Sequence, residues 1–407
     1  MPTALPVNSK LIFKRQSAKG TIATAASAQV LRRETAMFTL KKETYDTETE
    51  ITSHQQLSSV RHGTRMVDGK INNFFSPGTY SDMISAVLRR DFAAVTAITA
   101  ASVTIAGTGP TYTVTRAAGS YLTDGFKVGM VFRLSVGALN AANINKNLIV
   151  TGVTALVATV MPVNGVALVP EGPVTGTTIT ATGKVTHTPA TGHTNVYYTV
   201  ETLDPDVPSS ERNTDVKVGQ VTLTLPGSGN SKIDITAVGL DQSVSATAYF
   251  TAPTAETTTG VLVAASGLLL VGGVAVATVT DLSISIDGKE TPADGTVGSV
   301  VRSDIFRGVV KVSGSFTAYF DSRTLADNFI NEVKQSLIGV FTGDSTGTAD
   351  FVSLYMPQLV STSSDSDDGV AKGKKRTYGF TAEYNAAGGA ALATQQTTLQ
   401  VQDSAAP

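Results

Sequence analysis

Four histidines and one acidic run are the residues whose types could do chemistry. They are His54, His62, His187 and His193, and Asp365, Asp367 and Asp368 followed by Gly369. His187 and His193 share the segment THTPATGHT, and the chain has no cysteine to complete a ligand set. A six-residue gap is no standard metal-ligand spacing. His54 and His62 lie in a long polar stretch and read as interface or solvated residues. The aspartate run resembles the start of a calcium loop, but Arg376 stands at the twelfth position, where a bidentate Glu would close the coordination. A solvated hairpin loop is the better reading. Lys372, Lys374, Lys375 and Arg376 follow and could contact phosphate, yet the neighbouring aspartates neutralise them; a salt-bridged loop is expected. Gly107 and Gly109 sit in a short stretch, AGTGPTYT, with no helical pattern behind it to bind a phosphate. No serine stands in a nucleophile elbow. The expectation is therefore no catalytic residue, no metal ligand, no cofactor and no enzymatic activity.

Composition points the same way. The formal net charge is −2 and charged residues make up 16% of 407, below the ~25% usual for globular chains. Such a chain has no global attraction for nucleic acid or anionic membrane. Thr, Ala, Val and Gly fill the difference, a β-rich bias. The N-terminus, MPTALPVNSKLIFKRQ, lacks the order of a signal peptide, so the protein is expected to be made and kept in the cytosol. The uncharged stretch Thr257–Thr280 is long enough to span a membrane, but Gly272-Gly273 divides it into two short apolar runs. That is the pattern of a hairpin, and no membrane span is expected.

The elements that would position these residues occur twice. Gly63–Val95 aligns without a gap on Gly308–Val340 at a constant offset of 245, with identities that include Gly63/Gly308, Val67/Val312, Gly69/Gly314, Phe75/Phe320, Thr79/Thr324 and Asp82/Asp327. Val67, Gly69, Ile71 and Phe75 share one parity, as do Val312, Gly314, Phe316 and Phe320; each copy predicts a strand with one buried face. Both then switch to helical spacing, through Tyr80, Ile84, Leu88 and Phe92 and through Leu325, Phe329, Val333 and Leu337. Thr79 and Thr324 resemble helix-start signals. Phe92, Phe329 and Leu337 read as core against the sheet, and Phe75 and Phe320 as equivalent core anchors. In the second copy the helix is expected to end near Val340.

The rest of the chain follows that repeat. After the second helix, strands are predicted at Phe351–Pro357, Thr377–Tyr384 and Thr397–Gln402. After the first they are Val196–Leu203, Val216–Leu225 and Lys232–Val238. Polar loops separate the first two strands of each set. The first copy needs about a hundred residues to pass from helix to strand, too many for a structureless loop in a compact domain. Segments Ser102–Ala106, Thr111–Thr115, Met130–Val136, Leu148–Val153 and Ala158–Pro162 read as its strands, in a small barrel or sandwich. The expected division is residues 1–95 with 195–250, an inserted β domain at 96–194, a linker at 251–260 and a second domain at 261–407. Phe38/Leu40 alternate as Ile284/Ile286 do, and both pairs lead to a Lys-Glu-Thr, at Lys42–Thr44 and Lys289–Thr291, inside the long polar excursions Lys41–His62 and Asp287–Arg307.

A β domain with one helix, a long loop and a tandem copy of itself resembles the tail tube proteins of long-tailed bacteriophages. The segments that carry the likeness are KVGQVTLTLPGSGNSKIDITAVG (217–239), GVLVAASGLLLVGGVAVATVTDLSISIDG (260–288) and IFRGVVKVSGSFTAYFDSRTLADNFINE (305–332). The resemblance implies a mainly β fold: two tandem tube domains of barrel or sandwich type, each with one α-helix, plus the small β insert. It implies a structural virion protein whose stacked rings form the channel for DNA ejection. Two fused tube domains imply a homotrimer that builds a pseudo-hexameric ring. Expected partners are the protein itself, a tape measure protein, and terminator and tip proteins. Viral DNA would pass without specific binding, no membrane is involved, and assembly would take place in the host cytoplasm. An insert that projects outward would obstruct a sheath, which favours a non-contractile tail. The alternatives are another β-sandwich virion component (decoration, terminator or adhesin) and a hydrolase within a β-rich chain. The hydrolase lacks any convergent polar constellation.

Overall fold

The computed structural model describes residues 3–47, 49, 51, 53, 56–276, 278–321, 323–367, 373–386 and 396–407. His54, Asp368, Gly369 and Lys372 lie outside them. The chain is mainly β, with two α-helices among the described residues. It opens with β1 (Lys10–Arg15), β2 (Gln29–Val30), β3 (Thr35–Asp46), β4 (Val60–Phe74) and α1 (Ser81–Leu88). Six strands follow: β5 (Ile98–Thr108), β6 (Thr111–Arg116), β7 (Val131–Ser135), β8 (Leu148–Val153), β9 (Val157–Pro162) and β10 (Glu171–Ala181). They close into a barrel in the order β10-β5-β6-β9-β8-β7. Next come β11 (Lys184–His187), β12 (Tyr198–Asp204), β13 (Ser209–Pro226), β14 (Lys232–Gly239) and β15 (Asp241–Ser245). The remainder holds β16 (Val263–Val271), β17 (Val274–Ala275), β18 (Val279–Asp287), β19 (Glu290–Pro292), β20 (Ile305–Arg307), β21 (Lys311–Tyr319), α2 (Thr324–Ile330), β22 (Gln335–Thr342), β23 (Phe351–Asp367), β24 (Lys375–Ala382) and β25 (Gln400–Asp403).

The repeat is visible in the pairing. β3 pairs with β4, β4 with β14, β14 with β13 and β13 with β12; β18 pairs with β21, β21 with β24, β24 with β23 and β23 with β22. One further pairing, β13 with β18, makes the two sets a single sheet. Alternation does what period two requires. Val67, Ile71, Val312 and Phe316 are buried in one core with Val221, Leu223, Ile284 and Ile286. The repeated glycine has a packing reason: a Cβ on Gly69 would run into the Phe38 ring, and one on Gly314 into Phe380. Gly272-Gly273 is the predicted two-residue hairpin turn, with both glycines at positive φ and Val271 opposite Val274.

Several expectations need correction. The second helix stops at Ile330, Glu332 takes a left-handed φ of 51°, and Leu337 lies in strand β22. The reason is burial on both faces. Leu337 and Phe341 face the main core, while Ile338 and Val340 face the barrel, packing with Val131, Ile149, Met161 and Val163. A strand buried twice shows no alternation. Phe329 and Phe92 are half-buried, and Phe92 lies beyond the end of α1. Neither threonine caps its helix: α1 begins after Tyr80, and Thr324 is already the first residue of α2. Phe320 is not a core anchor. It is 38% exposed beneath the Arg376 guanidinium, whereas Phe75 is 1% exposed.

The polar stretches read as loops are largely strand. Ser209–Thr214 pairs with both β12 and β15, and Ser361–Asp367 pairs with β24. Their ladders use backbone groups, which polar side chains do not disturb. The strands β10 and β11 had no sequence signal. EGPVTGTTITA is Gly- and Thr-rich, and its pairing with β5 shifts register three times.

Candidate assembly interface

The residues singled out for their chemistry do not converge. His62 lies on β4, His187 on β11 and His193 in the loop before β12. Burial, reinforced by Arg90 and Lys127, pushes the His187 imidazole down to about 4. His193 is lowered as well, by burial and by Arg89 and Arg307. Among the described residues no group of three or more acidic or histidine side chains is placed to hold a metal. Asp365 and Asp367 are not in a hairpin loop; they lie on β23, opposite Thr377 and Lys375 of β24. Lys375 and Arg376 belong to that strand and stack on rings, with Lys375 Nζ 5.0 Å from the Tyr319 centroid and the Arg376 guanidinium carbon 4.4 Å from Phe320. Gly107 and Gly109 shape the turn between β5 and β6, where Thr108 faces Thr111.

The built site is the seam between the two repeats. Val221, Leu223 and Leu225 of β13 stand opposite Ile286, Ile284 and Leu282 of β18. All six are buried, and burying side chains of this size contributes about 1.5–3 kcal/mol each. A charged cluster closes one end. Arg89, in a left-handed conformation at the end of α1, reaches across the seam. Its Nη1 donates to the Gly308 carbonyl at 2.8 Å and its Nη2 to Gly288 at 2.7 Å. Glu290 Oε1 lies 3.5 Å from Arg89 Nη2, and Glu290 Oε2 lies 3.6 Å from Lys217 Nζ. Lys217 Nζ donates to the Ile305 carbonyl at 2.7 Å and sits 4.7 Å from the Tyr197 ring centroid. Burial raises Glu290 above the usual carboxylate range, against the pull of Lys217, Arg89 and Arg307. Burial likewise lowers Lys217 and Arg89, with Glu290 opposing it. Each charge is thus held in place by the others. Lys289–Thr291 drew attention only as a repeated tripeptide; nothing in the sequence pointed to Arg89 as its partner.

A second contact fixes the barrel to the later repeat. The Val131 amide donates to Gln402 Oε1 at 2.6 Å, and Gln402 Nε2 donates to the carbonyls of Val131 and Thr182, each at 2.8 Å. Asn147 Nδ2 donates to the Ala349 carbonyl at 2.9 Å, and Ser353 Oγ to Gly129 at 2.6 Å. Asp403 accepts from Ser81 Oγ and the Gly78 amide; burial nevertheless raises its carboxyl above the ordinary range. β25 pairs on one side with β11 and on the other with β23, so it ties three parts of the molecule together.

The face of the sheet turned away from the core is mainly polar from β3 through β4, β14, β13, β18 and β21 to β24, with Met37 exposed among the polar side chains. Thr39 and Lys41 stand beside Asp68 and Lys70, then Asp234 and Thr236, then Thr222, Ser285 and Ser313, and finally Thr377 and Asp365. All of these are half-buried or exposed. No helix among the described residues is long and apolar enough to cross a membrane.

A sheet that runs unbroken through two repeats and presents a mainly polar face describes a building block. No curated protein matches the chain. The family model described as phage tail tube protein matches residues 7–386, and the chain belongs to that family: it is a structural component of the virion tail that assembles into a stacked tube.

Proposed function

We propose that three copies of this chain close a pseudo-six-fold ring, and that the stacked rings carry DNA through a non-contractile tail. The observation that carries this reading is the continuous sheet with its balanced polar face. On that face Lys41, Lys70 and Lys232 stand among Asp68, Asp234 and Asp365, with Ser and Thr between them. A lumen of this kind offers phosphates no excess of positive charge to bind, so DNA slides. α1 packs into the main core and the barrel packs against β16 and β22 at Leu270, Ile338 and Val340; in this reading both form the outer wall. A barrel there would occupy the surface a contractile sheath needs.

In this reading residues 1–95 with 195–250 form one tube unit, 261–407 the other, 251–260 the link, and 96–194 the insert. Ring closure would cover strand edges that otherwise invite aggregation. A tape measure protein would fill the tube before DNA does, and terminator and tip proteins would cap its ends, all within the host cytoplasm. The test is electron microscopy of the purified chain with mass from light scattering. Hollow tubes or rings of trimer mass support the proposal. Rings of six chains would remove the three-copy arrangement, and a stable monomer at every concentration would remove both.

A further inference from the structure

The internal seam supplies a template for the external one. Gly69 and Gly314 are equivalent in the repeat; Phe38 stands opposite the first and Ile284 opposite the second. β3 therefore corresponds to β18, with Leu40 in the place of Ile286. On the other side, Ile71 faces Ile235, which faces Val221, while Phe316 faces Tyr378, which faces Ser364. β23 therefore corresponds to β13, with Ser364 in the place of Val221. A bulge confirms this register independently. β13 shifts between Val218 and Gln220, and β23 shifts between the equivalent Ser361 and Ser363.

Within the chain, the β13 edge is covered by β18. The equivalent edge of β23, Ser363–Asp367, is paired only with β24 among the described residues, and Thr35–Lys41 of β3 only with β4. Resting on the ring reading above, we propose that these two edges join successive copies. β23 of one copy pairs antiparallel with β3 of the next, with Ser363 opposite Lys41, Ser364 opposite Leu40, Asp365 opposite Thr39 and Ser366 opposite Phe38. The charged cluster carries over too. Lys334 occupies the place of Arg89, and Glu43 lies one residue from the place of Glu290, next to the register shift of β3, so opposite signs again stand at one end of the seam. In the single chain Lys334 engages Glu383 at 2.9 Å and Glu43 engages Arg302 at 2.6 Å.

The two seams differ in chemistry. Val221 and Leu223 of the internal seam are replaced by Ser364 and Ser366, and Thr222 and Thr224 by Asp365 and Asp367. Aspartates on a bare strand edge oppose unprogrammed pairing, and serines remove apolar area that would reward it. The external seam is thus the weaker of the two, and its edge chemistry sets the concentration at which rings close. Within the paired strands, Lys41, diagonal to Asp365 in the proposed register, favours the correct partner electrostatically.

The chain has no cysteine, so introduced thiols report the register cleanly. Thr39→Cys is mixed with Asp365→Cys, and Leu40→Cys with Ser364→Cys, under oxidising conditions; Thr35→Cys with Asp365→Cys is the out-of-register control. Neighbouring antiparallel pairs alternate in geometry, so one of the two in-register mixtures presents the thiols well. The expected result is at least tenfold more linked dimer in register than in the control. Equal yields, or rings by microscopy without in-register links, overturn the seam. If no rings or tubes form, the ring reading falls while the disulfide yields still decide the pairing. The double variant Ser364→Val, Ser366→Leu should lower the assembly concentration at least tenfold. An unchanged or raised threshold overturns the proposed role of the polar edge.

Discussion

The two helices descend from the same repeat and live in different surroundings. In α1, Met83, Ile84, Val87 and Leu88 are all buried, and Arg89 at its end is locked onto the loops that follow β18 and precede β21. In α2 only Ala326 is buried, and Ile330 is 74% exposed. What covers α1 comes from elsewhere in the chain: the second repeat supplies Gly288, Glu290 and Gly308, and Ser81 binds Asp403. No equivalent contacts cover α2 among the described residues. In the proposed ring, the second repeat would be finished by the copy that pairs with β23.

The largest effect should come from the barrel, which serves the second repeat as a wall. Replacing residues 96–194 by a short Gly/Ser bridge would expose Leu270, Ile338, Val340, Phe351 and Tyr355 together. We expect no soluble folded protein, because the loss is as large as the ~5–15 kcal/mol that holds a domain together. A cooperative unfolding transition in the deletion variant would show that the second unit stands without its wall. Phe75→Ala and Phe320→Ala compare the units directly. The first should cost about 3–5 kcal/mol by urea unfolding; the second, at an exposed ring under Arg376, under about 1 kcal/mol. Equal costs would break the comparison.

The charged cluster gives the next test. Glu290→Gln leaves Arg89 and Lys217 buried without their counter-ion and should destabilise by about 3 kcal/mol. Glu43→Gln, at an exposed residue on the β3 side of the proposed outer seam, should leave the melting temperature of the single chain unchanged. The last test concerns His187. Its folded-state value lies below that of the unfolded chain, so the unfolded state binds more protons between about pH 6.5 and 4. Its contribution is full above 6.5 and is lost as pH falls toward 4. After allowance for screening this amounts to about 2 kcal/mol. His187→Gln should flatten that part of the pH–stability curve measured by denaturant titration.

Legibility in the sequence tracked how many faces of an element are buried. β4 and β21 have one wet face, and their alternation announced them. The barrel strands β5 to β9 behaved in the same way. β22 is packed on both sides, and its run SLIGVF imitated the continuation of a helix. The ends of β13 and β23 carry Ser, Glu and Asp, and strands held by backbone ladders alone look like loops. The seam itself could not be read, because Arg89 and Glu290 are 201 residues apart and neither belongs to a motif.

β25 gives the subunit a timetable. The strand joins β11 to β23, and Gln402 at its centre pins the barrel. The barrel is built from neighbouring strands and can form early, since local contacts close fastest. β4, by contrast, must wait for β14, and β23 for β25. During synthesis Gln400–Asp403 leaves the ribosome after both β11 and β23, so a nascent chain holds a half-docked sheet until β25 arrives to join them.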